Sequence, residues 1–196
     1  MINVARTKEF DPDAALRSAL ELFWRRGYEA TSMSELVEHL GIGRASIYAT
    51  FGSKHDLYLK ALDRYEEMQD PRMLGELSQP GPALPAVAAV VRRFAAESAS
   101  DERLTGCFVT NTAAELGPHD ADAAVRVGLS WQRIETLLHS ALVRAQAQGE
   151  LAENRDPRAL AHMLLVLMQG MRVVGKVSSD PARVQDAAEQ ALTLLG

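Results

Sequence analysis

Hydrogen-bond donors cluster in one short segment of the chain, residues 31–54, which reads TSMSELVEHLGIGRASIYATFGSK. The donors include hydroxyl groups at Ser32, Ser46 and Tyr48 and cationic groups at Arg44 and Lys54. Hydroxyl, guanidinium and ammonium groups hydrogen-bond to anions and to other oxygen or nitrogen acceptors. The segment therefore has the chemistry of a binding surface.

The rest of the chain contains no recognisable catalytic or metal-binding set. Its five histidines have no paired i,i+4 spacing, and a single cysteine excludes an internal disulfide framework and any multi-cysteine metal site. Nothing resembles a nucleophile elbow, a phosphate-binding loop or a paired-carboxylate site. We therefore expect a protein that is not an enzyme, with no metal site and no cofactor.

The single cysteine, Cys107, is a candidate redox or electrophile sensor. It follows Gly106 at the predicted start of a helix. The positive end of the helix dipole stabilises a thiolate there and so increases its reactivity. The alternative interpretation is a small buried residue that only packs.

The net charge of −5 is not spread evenly along the chain. Residues 1–65 contain nine Lys and Arg and nine Asp and Glu, which leaves twelve basic and seventeen acidic residues for the remainder. The first third is therefore neutral, and an acidic total does not exclude DNA binding, because only the local surface meets phosphate.

Capping signals place a pair of short helices in the donor-rich segment, after a longer first helix. Asp-Pro dipeptides at Asp11, Asp156 and Asp180 mark helix starts, because Asp caps free N–H groups and Pro suits the first helical position. Ser32 and Glu35 have the spacing of a capping box. Strand signals are nearly absent, so the sequence predicts an all-α fold. Its first four helices are expected at residues 12–26, 33–40, 44–50 and 53–69.

The third helix has one apolar face and one small, polar face. A helical wheel puts Ile47 and Phe51 together, facing the apolar residues of the second helix. The opposite face carries Ala45, Ser46, Tyr48 and Ala49. A small face with donors fits a DNA major groove about 12 Å wide, although such residues also occur on plain solvated helix faces.

A cluster of prolines divides the chain. Four of its eight prolines lie between positions 71 and 85, and such a composition is typical of a seam between domains. We predict a helix-turn-helix domain at residues 1–52, a connecting helix at 53–70 and a C-terminal domain at 71–196. Later helices are expected at residues 84–98, 107–116, 120–148, 157–177 and 181–195.

The C-terminal domain contains a helix that is apolar on nearly every side, at residues 159–168. A helix of this kind is buried on all faces, and a second subunit is one way to cover it. An apolar stripe in the final helix could complete the same interface: Val184, Ala188, Ala191, Leu192 and Leu195. Candidate ligand-lining residues are Phe108, Asn111, Trp131, Met163 and Met168, for each of which ordinary core packing is the alternative.

A strong resemblance to the DNA-binding domain of the TetR-type (TetR/AcrR) transcriptional regulators covers positions 10–65, FDPDAALRSALELFWRRGYEATSMSELVEHLGIGRASIYATFGSKHDLYLKALDRY. Its motifs are Gly-Tyr-x-x-Thr-Ser at 27–32, the Leu-Gly-Ile turn at 40–42, Ser-Ile-Tyr at 46–48 and Lys-x-x-Leu at 54–57. A Gly-Cys pair at positions 106 and 107 also resembles that of some electrophile-responsive members.

The resemblance implies roles for individual residues. By position, Arg44, Ala45 and Ser46 are similar to base-reading residues of the family. The residues similar to phosphate contacts are Ser32, Tyr48 and Lys54. Two positions depart from the family pattern: Gly43 replaces a helix-capping Ser or Asn, and Ala45 stands where Pro or Gly is common.

The function implied by the resemblance is that of a ligand-responsive transcriptional regulator, typically a repressor. Such a protein binds a pseudo-palindromic double-stranded DNA operator as a homodimer and is released by a small-molecule inducer. Without an apolar signal core or a membrane-length apolar run, we expect it in the cytoplasm and not in a membrane. Arg6 and Lys8 are expected on a basic arm. The alternative is a helical small-molecule-binding module or adaptor without operator binding.

Overall fold

The computed structural model describes residues 10–100, 105–178 and 180–195, and Arg6 and Lys8 lie outside these ranges. The described residues form helices and connecting turns without a β-strand, which confirms the predicted all-α class. The helices are α1 (Pro12–Arg26), α2 (Met33–Leu40), α3 (Arg44–Phe51), α4 (Lys54–Ser78), α5 (Ala83–Ala99), α6 (Phe108–Glu115), α7 (Ala121–Ala147), α8 (Pro157–Gly175) and α9 (Ala182–Thr193).

The first two helices begin and end where local signals predict. The Asp11 side chain accepts a hydrogen bond from the backbone N–H of Asp13 at the start of α1. Ser32 and Glu35 form the predicted capping box of α2. Gly41 ends α2 in the left-handed conformation, with φ of 66°, which only glycine adopts without a steric penalty.

Backbone contacts divide the chain into two compact units, one up to Tyr65 and one from Glu66 onward. The core of the first unit contains the buried side chains of Phe23, Leu36, Ile47 and Phe51 together with those of Leu57, Tyr58 and Leu62 from α4. Tyr58 and Phe23 pack edge to face, with ring centroids 5.0 Å apart. This core fixes α3 from one side.

The prediction that the fourth helix ends near residue 69 was wrong. α4 continues through Pro71 to Ser78, although an interior proline costs about 3 kcal/mol. Beyond Pro71, however, Met73 and Leu77 are buried in the core of the second unit, and burying each such side chain contributes about 1.5–3 kcal/mol. Tertiary packing therefore outweighs the local helix-breaking signal.

The second unit has one continuous apolar core. Residues from α5, α7, α8 and α9 pack in it together with the end of α4. The apolar stripe of α9 belongs to this core, since Val184, Ala188 and Leu195 are almost completely buried within the chain. The expectation that this stripe faces a second subunit was therefore wrong for these three residues, because they are packed in the core of the second unit itself.

A charged network joins three helices of the second unit. Glu97 of α5 accepts hydrogen bonds from Arg93 at 3.0 Å and from Arg172 of α8 at 2.6 Å. Arg93 also pairs with Glu76 of α4 at 2.7 Å. Burial raises the pKa of Glu97, but the hydrogen bonds from Arg172 and Arg93 outweigh it, so the pKa lies below its ordinary value.

Part of α8 keeps an exposed apolar face. Val166 is 71% exposed, and Val173 and Val174 further along the helix are also exposed. No helix within the described residues is long and apolar enough to cross a membrane.

Candidate nucleic-acid interface

α3 presents its small face to solvent. Ile47 and Phe51 are buried on the inner side of the helix. On the outer side, Ala45 and Ala49 are exposed and Ser46 is half-buried, while Tyr48 is 46% exposed. The division of α3 into a packed and a free face thus agrees with the helical wheel.

The start of α3 has no side-chain cap. The carbonyl of Gly43 accepts hydrogen bonds from the backbone N–H groups of Ser46 and Ile47, but glycine has no side chain that could cap the helix. Arg44 follows as the first residue of α3, with an exposed side chain. Its Nη2 atom donates to Ser34 Oγ over 3.4 Å, a long bond that links the start of α3 to α2.

The N-terminus of α2 is partly occupied by its own capping box. The backbone N–H of Ser32 donates to Glu35 Oε2 at 2.8 Å, and the N–H of Glu35 donates to Ser32 Oγ at 3.2 Å. The hydrogen bond from the Ser32 backbone, with smaller effects from the Ser32 hydroxyl and Arg26, holds the pKa of Glu35 below its ordinary value. A phosphate at this helix end would meet the Ser32 hydroxyl and the amides of Met33 and Ser34, which have no acceptor within the helix.

The corner between α3 and α4 is fixed by two further contacts. Ser53 and Asp56 cap α4 reciprocally: the Ser53 N–H donates to Asp56 Oδ2 at 2.8 Å, and the Asp56 N–H donates to Ser53 Oγ at 3.0 Å. Lys60 Nζ donates to the Phe51 carbonyl at 2.9 Å, at the C-terminus of α3. The i,i+3 spacing of Ser53 and Asp56 is readable in the sequence, whereas the reach of Lys60 across the corner is not.

Lys54, the first residue of α4, lies over an aromatic ring. Its Nζ atom is 4.1 Å from the centroid of the Tyr28 ring, and the side chain is half-buried. Tyr28 also packs edge to face with Tyr58, with centroids 5.1 Å apart. Sequence reasoning placed Tyr28 in a motif but assigned it no role.

The five candidate ligand-binding residues differ in their surroundings. Phe108 and Met168 are buried, whereas Asn111, Trp131 and Met163 are half-buried. The Asn111 side chain donates to the Thr105 carbonyl at 2.8 Å and accepts from Lys176 at 3.3 Å. Trp131 has a buried indole N–H without an acceptor among the described residues.

An open cavity of about 200 Å³ lies between α7 and α8. None of the five candidate ligand-binding residues lines this cavity. Its lining is largely polar and consists of Gln132, Glu135, Thr136, His139, Arg158, Ala161 and His162. The cavity is open to solvent, and carboxylate, imidazole and guanidinium groups surround it.

Cys107 lies at the start of α6, as predicted. It is the N-cap residue, half-buried and not disulfide-bonded. Gly106 before it has φ of 65°, and an added Cβ there would lie 3.3 Å from the Arg172 carbonyl of α8. The turn that leads into Cys107 therefore runs close to the end of α8.

An all-helical protein with a short, exposed helix after a glycine turn in its first unit and a helical bundle in its second is typical of the helix-turn-helix regulators. The family described as "Bacterial regulatory proteins, tetR family" matches residues 15–61, and the one described as "Tetracyclin repressor-like, C-terminal domain" matches residues 83–191. The chain belongs to the TetR family of transcriptional regulators, which confirms the resemblance found in the sequence.

Relatives and solved structures match almost the whole chain. The uncharacterised HTH-type transcriptional regulator YezE of Bacillus subtilis (strain 168) is 35% identical over 98% of this chain and 100% of its own. The HTH-type transcriptional repressor ComR of Escherichia coli (strain K12) is 32% identical over 96% of this chain and 90% of its own. A cysteine mutant of the TetR family regulator CifR, solved with 26-bp double-strand operator DNA, is 31% identical and has a TM-score of 0.83. The match covers 97% of this chain and 100% of that one.

Proposed function

We propose that the protein is a ligand-responsive repressor that binds a pseudo-palindromic operator as a homodimer and leaves it when a small-molecule inducer binds. The observation that carries the proposal is the small, exposed outer face of α3, held from behind by buried Ile47 and Phe51. Full-length similarity to a regulator solved with operator DNA supports it. Such a protein acts on DNA in the cytoplasm.

The DNA contacts divide into two groups. Arg44, Ala45 and Ser46 lie in the first turn of α3 and would face base edges, since the N-terminal residues of a recognition helix reach them. Three residues around this helix would contact the phosphate backbone: Ser32, Tyr48 and Lys54. In a dimer, the two copies of α3 would enter successive major grooves about 34–36 Å apart, or a multiple of that distance.

Binding to duplexes selected from a random-sequence pool, and to DNA upstream of the gene, tests this function. Lys54→Ala should weaken binding to all sequences and reduce the slope of log K against log salt by about 0.9 for each phosphate that the lysine neutralises. Arg44→Ala should also relax sequence preference. Arg155→Ala, an equal loss of charge in the exposed turn between α7 and α8, is the control and should change neither.

Two outcomes of this experiment contradict parts of the proposal. If no duplex is bound in preference to random DNA, the protein is a helical ligand-binding module or adaptor without operator binding. If Arg44→Ala keeps the original base preference, Arg44 is not a base-reading residue.

The homodimer is proposed to form through α8. Val166, Val173 and Val174 form an exposed apolar face on that helix, and a face of this kind marks a site of association. The outer side of α9 is polar, with exposed Arg183 and Glu189, so it would contribute to the rim of an interface rather than to its centre.

The inducer is proposed to bind in the second unit near Trp131, with Phe108, Asn111, Met163 and Met168 as further contacts. The buried Trp131 N–H without an acceptor supports this site, because such a donor is costly to leave unpaired and a ligand oxygen or nitrogen would satisfy it. A fluorescence screen should use a Trp24→Phe variant, in which Trp131 is the remaining tryptophan. A ligand that weakens operator binding without changing Trp131 emission would place the site elsewhere.

Cys107 is proposed as a second, covalent input. Its half-exposed position at the N-cap of α6 leaves the sulfur within reach of a reagent, while a purely packing role is the alternative. Thiol-labelling rates of the folded protein decide between them. A rate below that of a free model thiol, with operator affinity unchanged after labelling, would exclude the sensor.

A further inference from the structure

The Lys54 side chain has an unusual environment for a cation. It begins α4, where the helix dipole is positive and disfavours a lysine. Among the described residues Lys54 forms no ion pair, and its ammonium group lies instead over the face of the Tyr28 ring, with Nζ 4.1 Å from the centroid. An aromatic face attracts an ammonium group but, unlike a carboxylate, does not neutralise it. The charge therefore stays available for an anion.

The position of the Tyr28 ring is itself fixed by neighbouring rings. It packs edge to face on Tyr58, which is fully buried, and on His55, with centroid separations of 5.1 and 6.1 Å. It also stacks on buried Phe23 at 6.5 Å. A ring held on three sides by aromatic neighbours is a rigid platform, so the ammonium group above it is restrained as well.

We propose that Tyr28 is a positioning residue for DNA binding: its ring holds the Lys54 ammonium group beside α3 in the place where it meets an operator phosphate. The proposal rests on the proposed phosphate contact of Lys54. Because the ring attracts Lys54 both with and without DNA, its attraction largely cancels from the affinity. The net benefit is that the lysine side chain is already ordered before DNA arrives.

The size of this effect follows from side-chain ordering. Immobilising a flexible side chain at an interface opposes binding by about 0.5–1.5 kcal/mol, or roughly two- to tenfold in affinity. Removing the attraction of the ring should therefore weaken operator binding by about two- to tenfold per half-site. Binding to random duplex should weaken similarly, because phosphate contacts carry no sequence information.

The test weakens the negative face of the ring at position 28 while the ring itself stays aromatic. Tyr28→Phe and its mono-, di- and trifluorinated analogues keep the aromatic packing while they progressively weaken the negative ring face. We expect affinity for a selected operator duplex to fall stepwise along this series. The same fluorination at Phe94, whose ring lies under the guanidinium groups of Arg93 and Arg172 in the second unit, is the matched control and should leave affinity unchanged.

A double-mutant cycle separates positioning from folding. In a Lys54→Ala background the Tyr28 series should have no effect, since the group that it positions is gone. A stepwise loss that persists in that background would show a structural role and overturn the inference. An increase in affinity on fluorination would overturn it as well, because the ring would then hold Lys54 away from DNA.

Failure of the proposed function is distinguishable from failure of this inference. If Lys54→Ala weakens binding but the Tyr28 series does not, the phosphate contact stands and the positioning role of Tyr28 is wrong. If Lys54→Ala leaves affinity and salt dependence unchanged, the phosphate contact itself is wrong, and the positioning role with it. Preference for the selected duplex over random DNA tests operator binding independently of both residues.

Discussion

At the scale of single residues, Gly43 leaves the start of α3 without a side-chain cap. It has an ordinary extended backbone, with φ of −67°, and an added Cβ would meet nothing within 4 Å. We expect Gly43→Ser to raise the free energy of unfolding by a few tenths of a kcal/mol, because a hydroxyl can then cap the first turn of α3. Denaturant unfolding measures this difference.

Gly41, two residues earlier, supplies the contrast for that experiment. Its φ of 66° is left-handed, so Gly41→Ser should lower the free energy of unfolding by about 1 kcal/mol. If Gly43→Ser lowers the free energy of unfolding as much as Gly41→Ser does, a hydroxyl at position 43 does not cap α3 and the capping argument is wrong.

Glu35 makes the first unit sensitive to acid. Its pKa is lowered chiefly by the hydrogen bond from the Ser32 backbone, so its stabilising contribution is present above the ordinary glutamate pKa of about 4.3 and is lost as pH falls through the lower folded value. Glu35→Gln keeps a side chain that can complete a capping box but does not ionise. Unfolding measured from pH 7 to pH 3 should show wild type more stable at neutral pH and the two proteins converging in acid.

The matched control for that titration is Glu38→Gln. Glu38 is exposed on the same helix and lies outside the capping box. A difference between wild type and Glu35→Gln that stays constant down to pH 3 would mean that the carboxylate does not stabilise the capping box through its charge.

At the scale of elements, the sequence predicts what local chemistry determines and misses what packing determines. α1, α2 and the start of α3 are predicted correctly because Asp11, Ser32 and two glycines act on their immediate neighbours. The extension of α4 past Pro71 and the inward orientation of the α9 stripe depend on partners far along the chain. The aromatic support of Lys54 was missed for the same reason, since Tyr28 is 26 positions earlier in the numbering.

The outer face of α3 predicts a chemical feature of the operator. Ala45 and Ala49 are i,i+4 neighbours with Cβ atoms about 5–6 Å apart, and alanine methyl groups favour contact with the C5-methyl group of thymine. Replacing single thymidines by deoxyuridine in a selected duplex should therefore weaken binding at two positions of each half-site, by about three- to fourfold for each thymine methyl group removed. Titrations with each substituted duplex measure this.

Glycine variants assign each sensitive thymine to one alanine. Ala45→Gly should abolish the loss of affinity at one of the two positions and leave it at the other, and Ala49→Gly should do the reverse. Glycine loosens the helix in both variants, so each variant is the control for this effect in the other. Uniform affinity across all deoxyuridine duplexes would mean that the outer face of α3 avoids the bases instead of reading them.

At the scale of the whole molecule, the two units differ in charge and in exposed apolar surface. The first unit carries no net charge and presents donors around α3, while the remainder carries the full −5 and an exposed apolar face on α8. An acidic surface opposes non-specific attraction to DNA. Binding should consequently depend on the few cations near α3 and on pairing of two such surfaces in a dimer.

The apolar face of α8 gives the final prediction. Val166→Glu places a charge at a side chain that is 71% exposed in the single chain, so it should not disturb the fold, but it would put an unpaired charge at the centre of a dimer interface. We expect monomers in sedimentation experiments, unchanged helical content and loss of high-affinity operator binding. Val125→Glu, at a 60% exposed valine of α7, is the control and should remain dimeric, because Val125 lies on a different helix from the proposed interface. A Val166→Glu protein that still sediments as a dimer would place the subunit contact on another surface.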